Sequence, residues 1–381
     1  MTLMERKLQL LPLLGVRFVV VMYVVAFHFA GPLLQGAPRL LTKVFRAGVG
    51  MDAFFLLSGF VLTYGYGTID GVAARQRFWQ SRCARIYPNY LLSLVLCAPF
   101  VLAHARADPA LSLLVVTGLA ALLLVQAWHP STVALWNLPS WSLSVEVFLY
   151  VIFPWAIARV QAMRRLLLAA LMVWLTTLAA PIIYLLAGSH GWLRSETESS
   201  WSMFVRTLPP FFVPAFLLGV LLGLHFERNH HRVGTTLGAM VSYAGMAGVC
   251  ALLLLSDLIP FVLNNALVLP FFGMVVYGLA TGGGPIAWLL SRPALLMLGE
   301  ASYAIYILQA PIQAWTYTVL HRLVARFVNI SPRAEAFIEL LTIIVASLVV
   351  VRWFERPARR LAMKVFTSRA TRSPAAAPAA D

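Results

Sequence analysis

Two ionisable side chains lie inside the first apolar run of the chain, residues 8–30. Arg17 and His28 are eleven residues apart, close to three whole turns of an α-helix. A helix over this run carries both on one face, about 16 Å apart along its axis. A charge inside a membrane span is costly and usually functional. We expect Arg17 to address a charged group near one surface and His28 to perform proton chemistry near the other. The alternative is that Arg17 only reaches the headgroups and His28 only ends the helix.

Two carboxylates follow at a comparable depth. Asp52 begins the second apolar run, and Glu146 lies within the fifth. Ser142, Glu146 and Tyr150 are spaced four residues apart, so they form a polar stripe on an apolar helix. An acid beside an imidazole orients the ring and stabilises its charged form. We therefore predict that His28, Asp52 and Glu146 form a catalytic group near the outer, extracytoplasmic surface.

Arg82 and Arg85 form a second basic feature, just before Ile86-Tyr87-Pro88. Three residues apart on a helix, the two guanidinium groups share a face and make a fork suited to phosphates. Arg17, if it lies near the same surface, adds a third guanidinium group. The alternative is that these arginines only set the orientation of the chain, and we accept that alternative for Arg75 and Arg77.

The elements that position these residues are membrane spans. The 381 residues are 61% hydrophobic and only 11% charged, against about 25% charged residues in soluble domains. The net charge of +15 is accounted for by basic cytoplasmic loops, so it indicates no nucleic-acid partner. The three cysteines, Cys83, Cys97 and Cys250, have no metal or disulfide spacing. We predict an all-α, polytopic transmembrane bundle without a bound metal.

Eleven apolar runs are long enough, or nearly so, to cross a hydrocarbon core of about 30 Å as helices. They are residues 8–30, 48–67, 87–104, 110–127, 141–158, 166–187, 209–225, 235–256, 262–281, 294–319 and 335–354. Lys and Arg favour the cytoplasmic side of a membrane. The basic segments that this rule places in the cytoplasm are the amino terminus, 69–86, 159–165, 228–232 and 356–372.

Both ends in the cytoplasm require an even number of crossings, so we expect about ten, with 87–104 or 110–127 failing to cross. Pro88 and Pro99 favour 87–104 as the bent or re-entrant segment. The glycines of residues 282–284 lie at a span end and indicate a loop. We divide the chain into a membrane domain, 1–366, and a disordered cytoplasmic tail rich in Ala and Pro, 367–381.

The order of these motifs resembles the acyltransferase-3 family of membrane acyltransferases, over residues 13 to 357. The matching stretches are Gly15-Val-Arg17-Phe with ten residues between Arg17 and His28, Asp52-Ala-Phe-Phe-Leu-Leu-Ser58-Gly59-Phe60, Arg82-Cys-Ala-Arg85-Ile-Tyr87-Pro88, Pro139-Ser-Trp141-Ser-Leu-Ser-Val-Glu146, Leu298-Gly-Glu-Ala-Ser302-Tyr303-Ala-Ile-Tyr306 and Phe354-Glu355-Arg356-Pro357. Each is weak alone, and six in register are specific. Two positions depart from the family pattern: Val147 replaces a second acid, and Gln309 replaces a histidine.

The resemblance implies transfer of an acyl group, usually acetyl, from cytoplasmic acyl-CoA to a hydroxyl of a cell-surface or lipid-linked glycan in a bacterial inner membrane. Acyl-CoA is then a co-substrate, and no cofactor is permanently bound. His28 acts as general base or carries the acyl group, and Asp52 or Glu146 orients it. The residues that we assign to acyl-CoA binding are Arg17, Ser58, Arg82, Arg85 and Tyr87.

Two other functions remain open at this stage. The acceptor could be a small glycosylated metabolite such as a macrolide, because family members act on both kinds of molecule. A transporter or flippase could use the same Arg, His and Glu side chains as a proton relay. It predicts broken helices in each half of the chain, and the sequence does not show them convincingly.

Overall fold

A computed structural model describes residues 10–46, 50–107, 111–189, 204, 206–260, 263–324, 327 and 330–372. This part of the chain is all-α and contains no strand. Its α-helices, apart from the 3₁₀ and π turns, are α1 (Leu11–Phe29), α2 (Arg39–Arg46), α3 (Met51–Tyr66), α4 (Gly71–Ala107), α5 (Leu111–Leu122), α6 (Trp141–Gln161), α7 (Leu166–Thr177), α8 (Ala179–Ser189), α9 (Val213–Asn229), α10 (Thr235–Leu254), α11 (Asn264–Ala280), α12 (Gly284–Leu290), α13 (Pro293–Val319), α14 (Pro332–Val350) and α15 (Arg356–Arg372).

The predicted all-α membrane bundle is confirmed. Over the described residues, eight helices are long and apolar enough to cross a membrane, and the bent pair of α11 and α12 makes a ninth. The shorter apolar helix α3 has 16 residues and packs among these spans. The expected count of about ten crossings stays a prediction, because α3 is shorter than the spanning helices.

Of the two runs that the sequence left open, 110–127 is the one that falls short of a span. Residues 87–104 belong to α4, a single helix of 37 residues with Pro88 and Pro99 inside it. Neighbouring helices can satisfy the backbone groups that a proline frees inside a membrane. The run 110–127 instead yields α5, whose 12 residues extend only about 18 Å. The chain leaves α5 through Leu124, which has a positive φ of 56°, a conformation that an ordinary residue rarely adopts.

The predicted loop at residues 282–284 is present as a sharp corner. The axes of α11 and α12 differ by 81° across it. Gly282 and Gly284 have φ angles of 75° and 85°, a region that glycine enters without a steric cost. At the other end of the chain, α15 continues to Arg372, beyond the predicted start of the tail. Residues 373–381 lie outside the described part, so the disordered tail stays a prediction.

Glycines let the central helices approach one another closely. A side-chain carbon at Gly59 of α3 would overlap the carbonyl of Phe216, and one at Gly219 of α9 would overlap the carbonyl of Leu56. The pair α1 and α13 is joined in the same way, because Gly299 lies against the carbonyl of Leu14. Small residues at such contacts hold membrane helices together by close packing. This packing places α1, α3 and α13 around a common interior.

Candidate functional site

A cavity of about 90 Å³ lies inside this bundle, between α1, α3, α4, α6 and α13. The polar residues in its wall are Arg17, Ser58, Arg82, Arg85, Ser142, Glu146, Tyr150, Ser302, Tyr303 and Tyr306. Seven of the ten site residues predicted from the sequence are therefore brought to one place: Arg17, Ser58, Arg82, Arg85 and the whole polar stripe of Ser142, Glu146 and Tyr150. The wall is completed by apolar residues of α3, from Met51 to Leu62.

The cavity extends through much of the bundle. Met51 and Leu62, which both line it, are separated by about 16 Å of α3. Arg82 marks the end of the cavity at the carboxyl end of α3, because its Nη2 donates a hydrogen bond to the hydroxyl of Tyr66, in the last turn of α3, at 2.7 Å. The guanidinium group of Arg82 also lies 5.8 Å from the ring of Tyr150, a cation–π distance.

Arg17 and Arg85 line the same cavity with free hydrogen-bonding capacity. Among the described residues, neither guanidinium group makes a hydrogen bond or an ion pair, and both are only partly exposed. Arg17 interacts electrostatically with Arg85 and with Glu146. Three guanidinium groups and one carboxylate leave two positive charges in excess. A partly buried excess of this kind favours an anionic ligand.

The predicted stripe of Ser142, Glu146 and Tyr150 faces the cavity along its whole length. The hydroxyl of Tyr150 donates a hydrogen bond to Oε1 of Glu146. The hydroxyl of Ser142 donates to the hydroxyl of Tyr306 at 2.9 Å. These bonds hold the carboxylate and the hydroxyl groups in fixed positions on the wall.

Helix α13 supplies three wall residues to which the sequence analysis gave no role: Ser302, Tyr303 and Tyr306. The hydroxyl of Tyr303 donates to the carbonyl of Ile86 at 2.7 Å, directly after Arg85 in α4. This bond ties α13 to the helix that carries the arginines. The sequence signal for this helix was the motif from Leu298 to Tyr306.

A second missed contact braces α4 beyond the cavity. Nδ2 of the buried Asn89 donates a hydrogen bond to Oε2 of Glu355, at 2.5 Å. Glu355 is buried in the π-helical turn Val351–Glu355, which joins α14 to α15. Such turns often mark functional positions. The sequence signal was the stretch Phe354-Glu355-Arg356-Pro357.

The expected cluster of His28 with Asp52 and Glu146 is not formed. His28 is exposed in the last turn of α1, and its ring contacts are with Phe27 and Phe29. Among the described residues, neither His28 nor Asp52 makes a hydrogen bond or an ion pair, and neither lines the cavity. Glu146 shares the cavity with Arg17 instead.

The physical reason lies in where α3 begins. Gly50, just before α3, packs against Tyr23 and Val24 of α1. His28 is a full turn beyond Val24, so it stands above the outer end of α3. Because α1 is continuous from Leu11 to Phe29, His28 still points within about 20° of the direction of Arg17. His28 is therefore on the cavity side of α1, about 16 Å further out than Arg17.

Of two further residues predicted to bind acyl-CoA, one lines the cavity and the other does not. Ser58 lines the cavity next to Leu57 and Val61. Tyr87 does not line it, because its hydroxyl donates to the carbonyl of Leu122 at 3.3 Å. Tyr87 thus connects α4 to the short helix α5 and stands apart from the arginines.

The helices and the cavity together define a polytopic membrane protein with a polar, positively charged site inside its bundle. A family model described as an acyltransferase domain, that of the acyltransferase-3 family, matches residues 13–354. The chain therefore belongs to this family and is an acyltransferase, which confirms the resemblance found in the motifs.

The chain is also similar to two individual proteins, of which one is named an acyltransferase. The chain is 29% identical over 325 residues to Acyltransferase MdmB of Streptomyces mycarofaciens, with 79% of this chain and 78% of that protein covered. It is 43% identical over 54 residues to Protein 2 in picA locus of Rhizobium radiobacter, with 14% of this chain and 28% of that protein covered. No solved structure matches the chain.

Proposed function

We propose that this acyltransferase moves an acyl group, most often acetyl, from cytoplasmic acyl-CoA to a hydroxyl of a cell-surface or lipid-linked glycan. The observation that carries the proposal is the cavity shared by Arg17, Arg82 and Arg85. It begins at the inner ends of the helices and extends about 16 Å towards the outer ends. A donor and an acceptor on opposite sides of a membrane need such a passage.

The arginines suit the phosphates of the donor. Guanidinium groups bind phosphate oxygens through pairs of parallel hydrogen bonds, and Arg85 has its donors free for them. The cavity of about 90 Å³ is smaller than the roughly 300–1,000 Å³ of sites that enclose a whole ligand. The nucleotide therefore stays at the inner mouth, near Arg82, and only the narrow pantetheine arm enters the cavity.

The chemistry takes place at the outer end of this arm. The hydroxyl oxygen of the acceptor attacks the thioester carbonyl carbon, the C–O bond forms and the C–S bond breaks. His28 accepts the hydroxyl proton as general base, and coenzyme A leaves as the thiolate. His28 suits this role because it is exposed and lies on the cavity side of α1, above the outer mouth.

Glu146 acts as a positioning residue in this scheme. It is held by the hydroxyl of Tyr150 and offsets part of the positive charge around Arg17. The acceptor stays outside the bundle, since a sugar and a thioester arm do not fit together in the cavity. The protein would lie in a bacterial inner membrane with both of its termini in the cytoplasm. Acyl-CoA is then present on the inner side of the membrane and surface glycans on the outer side.

The direct test uses membrane vesicles supplied with radiolabelled acetyl-CoA on the cytoplasmic face and a glycan acceptor on the other. The change His28→Ala removes the general base, so we expect the transfer rate to fall by about 10²- to 10⁴-fold. Binding of coenzyme A should be unchanged. The matched control is His321→Ala, because the exposed His321 pairs with Glu335 at 2.8 Å and does not line the cavity. The control should retain the transfer rate.

Two outcomes would contradict the assignment. A folded His28→Ala protein with full transfer would remove His28 from the mechanism. Label bound covalently to the protein before acceptor is added would show that the acyl group first bonds to an enzyme side chain, and would replace the general-base step by a covalent one.

A further inference from the structure

A second cavity, of about 410 Å³, lies between α7, α9, α10 and α11. Helix α9 separates it from the site, since α9 packs Gly219 and Gly223 against α3 and turns Leu222 and His225 into this cavity. Its walls are almost entirely apolar, with Trp174 among the largest residues. Its volume would hold a chain of about fourteen groups at roughly 30 Å³ each.

Two polar atoms in this wall lack partners. Nδ1 of His225 and the hydroxyl oxygen of Tyr277 are buried, and neither makes a hydrogen bond within the described residues. Their rings are 5.5 Å apart. A buried polar atom without a partner is costly. The pair therefore indicates an occupant with a polar group next to its apolar chain.

The polarity changes along the cavity. His225 and Tyr277 are in the last turns of α9 and α11, at the same end as the beginnings of α7 and α10. Trp174 and Pro270, also in the wall, are about 10 Å further into the bundle. The polar pair thus lies at one end of the cavity and the apolar depth at the other, which is the pattern of an amphiphile.

The cavity opens towards lipid. Leu167 and Leu171 of α7 and Leu237 of α10 line it and are exposed at the surface of the bundle. In a membrane span, such a surface faces hydrocarbon. An acyl chain of the bilayer can therefore enter between α7 and α10 without crossing water.

Positive charge surrounds the polar end. Arg164 and Arg165 directly precede α7, and Arg232 precedes α10; all three are exposed. Basic pockets between spans on the cytoplasmic side bind the headgroups of anionic lipids. Basic loops on the cytoplasmic side are also expected because they set the orientation of the chain in the membrane. That rule does not explain why His225 and Tyr277 have polar atoms without hydrogen-bond partners among the described residues.

We propose that this cavity binds an anionic phospholipid of the cytoplasmic leaflet. One acyl chain fills the apolar depth, His225 and Tyr277 bond the ester region, and Arg165 and Arg232 bind the phosphate. The site lies on the other face of α9 from the acyltransferase cavity, and the proposal does not depend on acyl transfer.

The test is lipid titration of the detergent-purified protein, followed by its thermal unfolding midpoint. Dioleoyl phosphatidylglycerol should stabilise the protein at lower concentration than dioleoyl phosphatidylcholine, which has the same chains and no net charge. Removing two arginines with Arg165→Gln and Arg232→Gln should raise the half-saturating concentration of phosphatidylglycerol about thirtyfold. The control Arg77→Gln removes an exposed cytoplasmic arginine away from the cavity and should change nothing.

A second pair of variants tests the cavity itself. Val241→Phe fills its depth, and Leu237→Trp blocks its exposed mouth without entering the packed bundle. Both should abolish the response to either lipid, whereas Leu168→Phe, at an exposed α7 position outside the cavity, should not. Equal stabilisation by the two lipids would overturn the anionic site. A wild-type response in the folded Leu237→Trp protein would show that lipid binds elsewhere.

Discussion

The Nη2 atom of Arg82 lies 2.7 Å from the hydroxyl of Tyr66 and donates a hydrogen bond to it. This bond joins the helix that carries the paired arginines to the inner end of α3. It fixes one guanidinium group at the inner mouth of the cavity while other N–H groups of Arg82 remain free for a ligand. Tyr66 therefore positions the guanidinium group, whereas Arg82 binds the ligand. Substitutions at the two residues measure these roles separately.

Arg82→Ala should raise KM for acetyl-CoA about ten- to a hundredfold, since a charge-assisted hydrogen bond contributes about 1.5–3 kcal/mol. Tyr66→Phe removes only the acceptor that positions Arg82 and leaves the positive charge in place, so it should raise KM no more than about tenfold. Steady-state kinetics measure both values. A larger effect from Tyr66→Phe than from Arg82→Ala would show that Arg82 does not bind the donor.

Glu146→Gln should tighten the binding of coenzyme A, by about threefold or more. The change keeps the size of the side chain and an acceptor for Tyr150, but it removes the one negative charge among three arginines, which strengthens their attraction for an anion. Isothermal titration measures the affinity. Weaker binding by a correctly folded Glu146→Gln protein would place the carboxylate in direct contact with the donor instead of beside Arg17.

The small cavity predicts selectivity for short acyl groups. The cavity has a volume of only about 90 Å³, so methylene groups added to an acetyl group meet packed helices. We expect kcat/KM to fall at least about tenfold from acetyl-CoA to octanoyl-CoA, because overpacking costs about 1–3 kcal/mol. Competition between the two donors in one assay gives the ratio. A preference for octanoyl-CoA would mean that the acyl chain lies outside this cavity.

The close contact of α3 and α9 predicts a large loss of stability on a one-carbon change. Gly219→Ala places a methyl group on the carbonyl of Leu56, so the helices must separate. Gly65→Ala in the same helix pair meets nothing within 4 Å and serves as the control. Thermal unfolding in detergent should show a lower midpoint for the first variant only. Equal midpoints would show that the helices are not in contact.

Periodicity and charge were sufficient to predict the architecture and part of the site. The stripe of Ser142, Glu146 and Tyr150 follows from helical spacing, and all three face the cavity. The fork of Arg82 and Arg85 follows in the same way. Spacing within one helix is local, so it transfers directly from sequence to structure.

The relative depth in the membrane of residues on different helices could not be predicted so well. Asp52 and Glu146 were assigned to the layer of His28 by counting residues from the ends of their spans. The level of each helix depends on its packing, and the contact of Gly50 with Val24 sets α3 below His28. The same limit applies to α4, where neighbouring helices keep the segment with Pro88 and Pro99 continuous.

The most direct test of the account is the binding of coenzyme A to the purified protein and to Arg85→Ala. Arg85 lines the cavity and makes no hydrogen bond to the residues that the structure describes, so the account predicts an affinity at least about tenfold lower for this variant. The Arg77→Ala variant, which changes an exposed arginine outside the cavity, should bind as the wild type does. Equal affinities for the wild type and Arg85→Ala, both folded, would contradict the claim that the cavity holds the acyl donor.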